Sequence, residues 1–328
     1  MTPTSNSKFS RADRLGAALI YYGCRLLGWL PFWFLYGVVA RVIYFLLYVV
    51  GRYRVGVVRA NLATSFPEKS RAELRAIERG FYHNLSEYFV DAVEMAAITK
   101  KQWQRRVVYL NAEQTAAQIA GRDWVCMLAH FGSWELLGSF AFTRGMGDCV
   151  AAYHPLKNRA FDLFYIKIRN RFEGIGAVAM NELLRYFMTH RGQGRAMALA
   201  LIADQNAPVD AQSEWVPFLD HTTVFFHGGE KIARKFGLPV YYMHVSKTRR
   251  GHYEAWFEQV WDGASPTVPH AITTRYAALL EEDIRRSPEL WMWSHKRWKR
   301  RLKGAELATF NAKWGTDIPD KPTYDDFD

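Results

Sequence analysis

The first sixty residues differ from the rest of the chain in their hydrophobic pattern. Leu15–Gly51 is almost entirely apolar, with Arg25 and Arg41 as the charged interruptions. Its second half, Pro31–Gly51, approaches the roughly 20 apolar residues that cross a bilayer. It is too long for the apolar part of a signal peptide and has no small-residue cleavage site. We therefore expect residues 1–60 to be a membrane anchor that spans the bilayer or lies in its plane. The alternative is a pair of amphipathic helices packed on a soluble core, because an arginine inside a span is unfavourable.

In the remainder of the chain, apolar residues occur in short runs or at regular spacings of a few positions. Between residues 71 and 95, apolar side chains recur three and four positions apart, the spacing of a helix with one buried face. From Trp124 onward, short apolar runs alternate with amphipathic runs, which predicts an α/β fold with a largely parallel sheet flanked by helices. We expect one main domain over residues 61–312. Residues 313–328 are rich in aspartate and are expected to form a disordered acidic tail.

Composition limits the class of partner without choosing one. The net charge of +11 favours an anionic partner, which includes nucleic acid, phospholipid head groups, an acidic carrier protein or a phosphorylated substrate. Aromatic residues make up 15% of the chain, and such side chains suit a boundary between oil and water. The three cysteines are widely spaced and form no CxxC pair, so we expect no metal site and a reducing, cytosol-facing location.

One stretch, WVCMLAHFGSWELLG, carries a candidate for catalysis. His130 ends an apolar run that reads as a buried strand, where open α/β sheets place their ligands. Gly132 allows a turn, and Ser133 is expected to cap the helix that carries Glu135. If the turn brings Glu135 onto the imidazole, the carboxylate fixes the tautomer and leaves Nε2 free as a general base for a hydroxyl. The spacing fits neither an HExxH zinc site nor a GxSxG serine hydrolase.

Other polar residues are placed to reach the same edge of the sheet. Asp204 and Gln205 end the apolar run ALALIAD, so they either line the catalytic edge or form loop hydrogen bonds. Arg169 and Arg171 follow an amphipathic run, where they are either an anion clamp or a solvated helix face.

A late segment, PELWMWSHKRWKRRLK, interleaves tryptophans with basic residues. This pattern fits single-stranded nucleic acid, an anionic membrane surface or a plain surface helix. The apolar N-terminal segment favours the membrane among these.

Several segments in fixed order resemble one family. HFGSWELLG is similar to the HxxxxD/E motif of acyltransferases with a glycerophosphate-acyltransferase-like fold, and more narrowly to the bacterial lipid A late acyltransferases, the lauroyl and myristoyl transferases. The resemblance extends from Leu15 to Lys303 and includes RANLATSFPE, AYHPLKNRAFD, IRNRFEG, ALIADQN, EWVPFLDHTTVFFHGG and WSHKRWK. Their shared order makes the resemblance specific.

The resemblance implies a role for each candidate residue. His130 and Glu135 correspond to the catalytic dyad, Arg169 to an arginine that holds the acceptor or the reacting acyl group, and Arg171 to a second candidate for that role. Asp204 and Gln205 match the family's Asp-Gln pair and are expected to bind substrate. An apolar groove that measures the acyl chain is expected from Trp215, Phe218, Phe225 and Phe226.

The resemblance also implies the reaction. The donor is an acyl carrier protein thioester, and the acceptor is a hydroxyl on a lipid A precursor. The expected place is the bacterial inner membrane, with the catalytic domain on the cytoplasmic side, and no cofactor, metal or nucleic acid is expected. His154, Leu219 and Asp220 depart from the family pattern, which leaves a lysophospholipid or an aminolipid open as the acceptor. A non-catalytic protein that binds anionic lipid at the membrane surface is the alternative from another class.

Overall fold

The computed structural model of the protein describes residues 9–209 and 213–321. The helices are α1 Arg11–Leu27, α2 Phe32–Val50, α3 Val55–Ser65, α4 Arg71–Glu94, α5 Lys100–Arg106, α6 Ala112–Ile119, α7 Arg159–Arg169, α8 Leu183–His190, α9 Gly228–Phe236, α10 Ala271–Arg286 and α11 Gly304–Trp314. The 3-10 segments are Trp134–Phe142, Met180–Glu182 and Pro288–Leu290. The strands are β1 Val107–Tyr109, β2 Trp124–Leu128, β3 Asp148–Tyr153, β4 Ile175–Ala179, β5 Met197–Ile202, β6 Trp215–Phe218, β7 His221–Val224, β8 Val240–Arg249 and β9 His252–Trp261.

Seven strands form the main sheet, in the order β1-β9-β8-β2-β5-β3-β4. All neighbours are parallel except the β8–β9 hairpin. Helices connect the parallel strands and cover the sheet, because a parallel pair needs a long crossover. The predicted α/β fold with a largely parallel sheet is therefore confirmed. Strands β6 and β7 form a separate antiparallel pair.

The centre of the sheet determines where the polar residues meet. Strands β2 and β5 are hydrogen-bonded neighbours, with Trp124 opposite Ala198 and Leu128 opposite Ile202. Both strands are nearly completely buried. Their carboxyl ends lie at the same edge, so the residues that follow them are brought side by side.

The two N-terminal helices lie against helices of the main domain. Helix α1 packs on α7 and α4, and α2 packs on α4. Helix α2 is built from α-helical turns and two π-helical segments, Leu35–Val39 and Phe45–Val50. In the part of the chain that the structure describes, α2 is the one helix long and apolar enough to cross a membrane, judged by length and composition.

The tryptophans of the basic C-terminal segment belong to the core, which corrects the interpretation of this segment as a membrane or nucleic-acid surface. Trp291, Trp293 and Trp298 are buried, and the segment contains no helix from Trp291 to Lys303. Trp298 donates to the Thr223 hydroxyl at 2.9 Å. These rings are therefore unavailable for stacking on bases or for insertion among head groups.

Part of the predicted acidic tail lies against the domain. Ile318 is buried in a small cluster with Leu307 and Phe310 of α11. Residues 322–328, which complete the predicted tail, lie outside the described residues.

Candidate functional site

The imidazole of His130 is held by the carboxylate of Asp204. His130 lies two residues beyond β2, and Asp204 lies two residues beyond β5. Nδ1 of His130 is 2.7 Å from Oδ1 of Asp204, and the His130 backbone N–H donates to Oδ2 at 3.0 Å. The indole N–H of Trp291 donates to the same Oδ2 at 2.8 Å. Asp204 thus fixes both the backbone and the ring of the histidine.

The environment of Asp204 favours its charged form. Burial on its own would raise the pKa of this carboxyl, but the interactions with His130 and the indole of Trp291 outweigh burial and hold the pKa below its usual value. The buried carboxylate therefore remains ionised and can stabilise a positive charge on the ring.

The other ring nitrogen of His130 faces Gln205. The amide nitrogen of Gln205 lies 3.2 Å from His130 Nε2. Because the carboxylate accepts the Nδ1 proton and the amide donates to Nε2, the neutral ring carries its proton on Nδ1. The His130 side chain keeps 19% of its surface exposed. The side chain is therefore partly open to solvent, and an unprotonated Nε2 is what a general base for a hydroxyl requires.

The predicted contact between Glu135 and His130 is wrong. Glu135 is paired with Arg169, whose Nε is 2.9 Å from Oε2 and whose NH2 nitrogen is 2.5 Å from Oε1. The hydroxyl of Tyr88 donates to Oε1 at 3.4 Å. The physical reason is that each group has another partner. The chain after β5 places Asp204 directly against the His130 ring, and α7 brings the guanidinium of Arg169 to Glu135.

Part of the Arg169 guanidinium is correspondingly engaged in an ion pair. Burial would lower the pKa of this group, but Glu135, together with Tyr88 and Tyr165, outweighs burial and raises the pKa, so the group stays charged. Two of its nitrogens already bind Glu135, and the guanidinium lies over the rings of Tyr153 and Tyr165. The pair is a bidentate arginine–carboxylate bridge next to the histidine turn.

Arg171 binds the backbone that follows α4. Its NH1 nitrogen donates to the carbonyl of Met95 at 2.9 Å and its NH2 nitrogen to that of Ala97 at 3.2 Å. These carbonyls follow the carboxyl end of α4. Arg171 therefore fastens the chain after α4, and its place in substrate binding stays a prediction.

The four aromatic residues predicted to form an apolar groove differ in burial, and their role in binding an acyl chain stays a prediction. Phe218 and Phe225 are buried, and Phe218 meets Trp291 edge to face at 5.8 Å between centroids. Phe218 thus supports the indole that holds Asp204. Trp215 is half-buried and lines a separate cleft with Val209 and Arg300.

The turn after His130 has two further features. The backbone N–H of Gly132 donates to the carbonyl of Leu290 at 2.9 Å. Ser133 does not cap the 3-10 segment that follows it. Its buried hydroxyl has no hydrogen-bond partner among the described residues.

Three aromatic residues of the site were missed by sequence reasoning. Trp291 holds Asp204, and Tyr88 contacts Glu135. Trp134 stands edge-on to the His130 ring, with centroids 5.0 Å apart, and stacks on Tyr88 at 4.0 Å. Trp134 lies inside the motif and could have been considered, whereas the other two come from distant segments. Within residues 9–209 and 213–321, no group of three or more His, Cys, Asp or Glu side chains could hold a metal ion.

Comparison with known protein families gives a match over most of the chain. Residues 3–300 match the family described as "Bacterial lipid A biosynthesis acyltransferase". No curated protein matches the chain.

Proposed function

The chain belongs to the bacterial lipid A biosynthesis acyltransferase family, and we propose that it transfers a fatty acyl group from an acyl carrier protein thioester to a hydroxyl of a lipid A precursor. Membership supports an acyltransferase of this pathway. The observation that carries the proposed chemistry is the His130–Asp204 pair, in which Nδ1 faces the carboxylate and Nε2 faces the Gln205 amide.

In the proposed reaction, the acceptor hydroxyl replaces the Gln205 amide at Nε2 of His130. His130 takes the hydroxyl proton as the oxygen attacks the thioester carbonyl, and Asp204 stabilises the imidazolium that forms. The tetrahedral intermediate then collapses, the carbon–sulfur bond breaks, and the imidazolium returns the proton to the leaving thiolate. The products are an ester and a free carrier thiol, with no acyl-enzyme, metal or cofactor required.

We assign Glu135 a positioning role and Arg169 a catalytic one. The bidentate bridge uses Nε and one terminal nitrogen of Arg169. The second terminal nitrogen is left to donate to the carbonyl oxygen as negative charge develops, or to a phosphate of the acceptor. Preorganised donors of this kind often supply the largest single catalytic contribution.

Charge and hydrophobicity support the proposed donor and location. The net charge of +11 suits an acidic carrier protein. The family's pathway and the apolar helix α2 both favour membrane association. We propose the bacterial inner membrane, with the catalytic domain on the cytoplasmic side, where carrier thioesters are made.

The test is an acyl-transfer assay with purified protein. Radiolabelled acyl carrier protein is offered with a lipid A precursor, a lysophospholipid or an aminolipid, and both acylated lipid and released thiol are measured. The lipid A precursor should be acylated fastest, and His130→Ala should abolish the signal. If only one of the other lipids is acylated, that lipid is the acceptor. The departures from the family pattern at His154, Leu219 and Asp220 leave room for this outcome. Salt-sensitive lipid binding without thiol release would leave only the non-catalytic alternative.

A further inference from the structure

Helix α2 is not an isolated apolar helix, because polar contacts join it to α4 along its length. The two helices run antiparallel, and tyrosines on the inner face of α2 reach polar side chains of α4. The three contacts are Tyr36 with Asp91, Tyr44 with His83 and Tyr48 with Glu78.

These contacts are well formed at both ends of α2. The Tyr36 hydroxyl joins a buried cluster in which Arg106 is bonded to both Tyr36 and Asp91. Tyr48 donates to Glu78 at 2.9 Å. From Tyr36 to Tyr48 the helix rises roughly 18 Å, which is more than half of the roughly 30 Å hydrocarbon core of a bilayer.

A bilayer crossing by α2 would therefore carry α4 with it. Helix α4 also carries exposed charged residues, including Arg75 and Arg79. Charged groups that face hydrocarbon are strongly unfavourable. Arg41, exposed near the middle of α2, adds to this cost in a span but can extend to the head groups from a helix that lies in the membrane plane.

The outer face of α2 has the opposite character. Large apolar side chains there are about half exposed or more. The outer-face residues are Trp33, Val42, Phe45, Leu46, Val49 and Val50.

Helix α1 has the same two-sided construction. Ala17 and Tyr21 face inward, and α1 packs on α7 and α4. The other side carries large apolar residues at spacings of four, three and four, which puts them on one stripe. The stripe comprises Leu15, Leu19, Tyr22 and Leu26, with exposures of 64%, 67%, 58% and 63%.

The charges around these helices indicate what covers them. Residues 9–59 contain seven arginines and one acidic residue, Asp13. Trp29, at the corner between α1 and α2, is 68% exposed. Apolar stripes flanked by arginine and tryptophan fit a bilayer interface with anionic head groups.

We propose that α1 and α2 together form a monotopic membrane surface, in which both helices lie in one leaflet and α2 does not cross the bilayer. This inference rests on the membrane location proposed above. The surface is built on α7, which carries Arg169, and on α4, which carries Tyr88. Because both residues contact Glu135, the membrane surface rests directly on the helices that hold the site.

The decisive test is topology in intact cells. The full chain with Cys24→Ser is expressed in a Gram-negative bacterium, with one probe cysteine at Ser5→Cys and, separately, at Glu306→Cys. Spheroplasts are treated with a membrane-impermeant maleimide before and after lysis. Both probes should label only after lysis. Labelling of Ser5→Cys in intact spheroplasts would place the N-terminus across the membrane and overturn the proposal.

A second test measures the surface itself. Leu15→Glu/Leu19→Glu should lower flotation with vesicles of phosphatidylethanolamine and phosphatidylglycerol by about tenfold, because two apolar anchors become charged. Val268→Glu, at another position with 68% exposure, is the matched control and should float normally. Normal flotation of the double variant would contradict the proposal. The proposal would also be contradicted if the double variant floats normally but changes from a dimer to a monomer. That result would show that a second copy of the chain covers the stripe.

The two proposals can fail separately. His130→Ala should keep the same labelling pattern and flotation while losing acyl transfer. If α2 spans the bilayer while acyl transfer is normal, only the proposal of a monotopic surface is contradicted.

Discussion

Two histidine–aspartate pairs lie on neighbouring strands in the part of the protein that the structure describes, and one of them forms the candidate site. His130 pairs with Asp204 just beyond the carboxyl ends of β2 and β5. His244, on β8, pairs with Asp283 of α10 through Nδ1 at 2.9 Å. The His244 side chain is 4% exposed, against 19% for His130.

The difference lies at the second ring nitrogen. Nε2 of His244 is 3.3 Å from the carboxylate of Glu258, and the ring is stacked on Trp256. Both ring nitrogens of His244 face carboxylates, whereas the ring of His130 meets a neutral amide at Nε2. A histidine–carboxylate pair becomes a candidate base only where its outer nitrogen is unprotonated and accessible.

Replacement of the two histidines should give the largest contrast. His130→Ala is expected to lower kcat about 10³-fold, the usual contribution of a general base. His244→Ala should keep kcat per folded molecule but lower the free energy of unfolding by about 2 kcal/mol, because Asp283 loses a buried partner. Acyl transfer and thermal melting of both variants provide the check. A catalytic loss confined to His244→Ala would reverse the assignment.

The second largest effect is expected for Asp204, one of the two carboxylates near the turn. Asp204→Asn is expected to reduce kcat about 10²-fold with little change in KM, because the amide neither fixes the tautomer nor stabilises the imidazolium. Steady-state kinetics at saturating donor measure this. A kcat close to that of the unmodified protein would show that Asp204 serves only the fold.

The Glu135–Arg169 bridge should respond differently from the histidine pair. Glu135→Gln leaves the guanidinium partly buried without its counter-charge, so we expect a loss of about 2 kcal/mol in unfolding free energy and about tenfold in kcat. Glu135→Gln/Arg169→Met should recover stability but not activity. Chemical denaturation and kinetics of the three proteins separate these effects. If the double variant is less stable than the single one, the bridge is not the source of the loss.

The smallest expected effect concerns pH and the loop after Asp204. Nε2 of His295 accepts the backbone N–H of Asn206 at 3.2 Å. Burial, followed by the charge of Arg297, lowers the pKa of His295 from 6.5 to about 4. Since the unfolded chain binds more protons between these values, stability should fall as the pH decreases from 6.5 to 4. The ring is only partly buried, so the loss should be on the order of 1 kcal/mol. Denaturation across this range should show a flatter profile for His295→Gln; an unchanged profile would exclude His295 as the cause.

The location of the site could be predicted from the sequence, but its pairing could not. The alternation of apolar runs placed His130 and Asp204 after buried strands, and a parallel sheet brings such residues to one edge. Which strands are neighbours is a tertiary property. The adjacency of β2 and β5 decides that Asp204, and not Glu135, reaches the ring.

Local composition gave a wrong prediction for the late tryptophan-rich segment. Alternating tryptophan and basic residues resemble an interfacial helix, yet Trp291 and Trp298 are buried in the core within an irregular segment. Their indole N–H groups find buried acceptors on Asp204 and Thr223. A buried indole needs such an acceptor, and one that comes from a distant strand leaves no signal in sequence spacing.

The tautomer of His130 tests the account most directly. The ¹⁵N chemical shifts of the ring can be measured by NMR in detergent-solubilised protein labelled at histidine, with His130→Ala used for assignment. In the unmodified protein, the neutral ring should show a protonated Nδ1 and an unprotonated Nε2. Asp204→Asn should disturb this pattern, and Glu135→Gln should leave it intact. A pattern that survives Asp204→Asn and is lost in Glu135→Gln would contradict the pairing of His130 with Asp204.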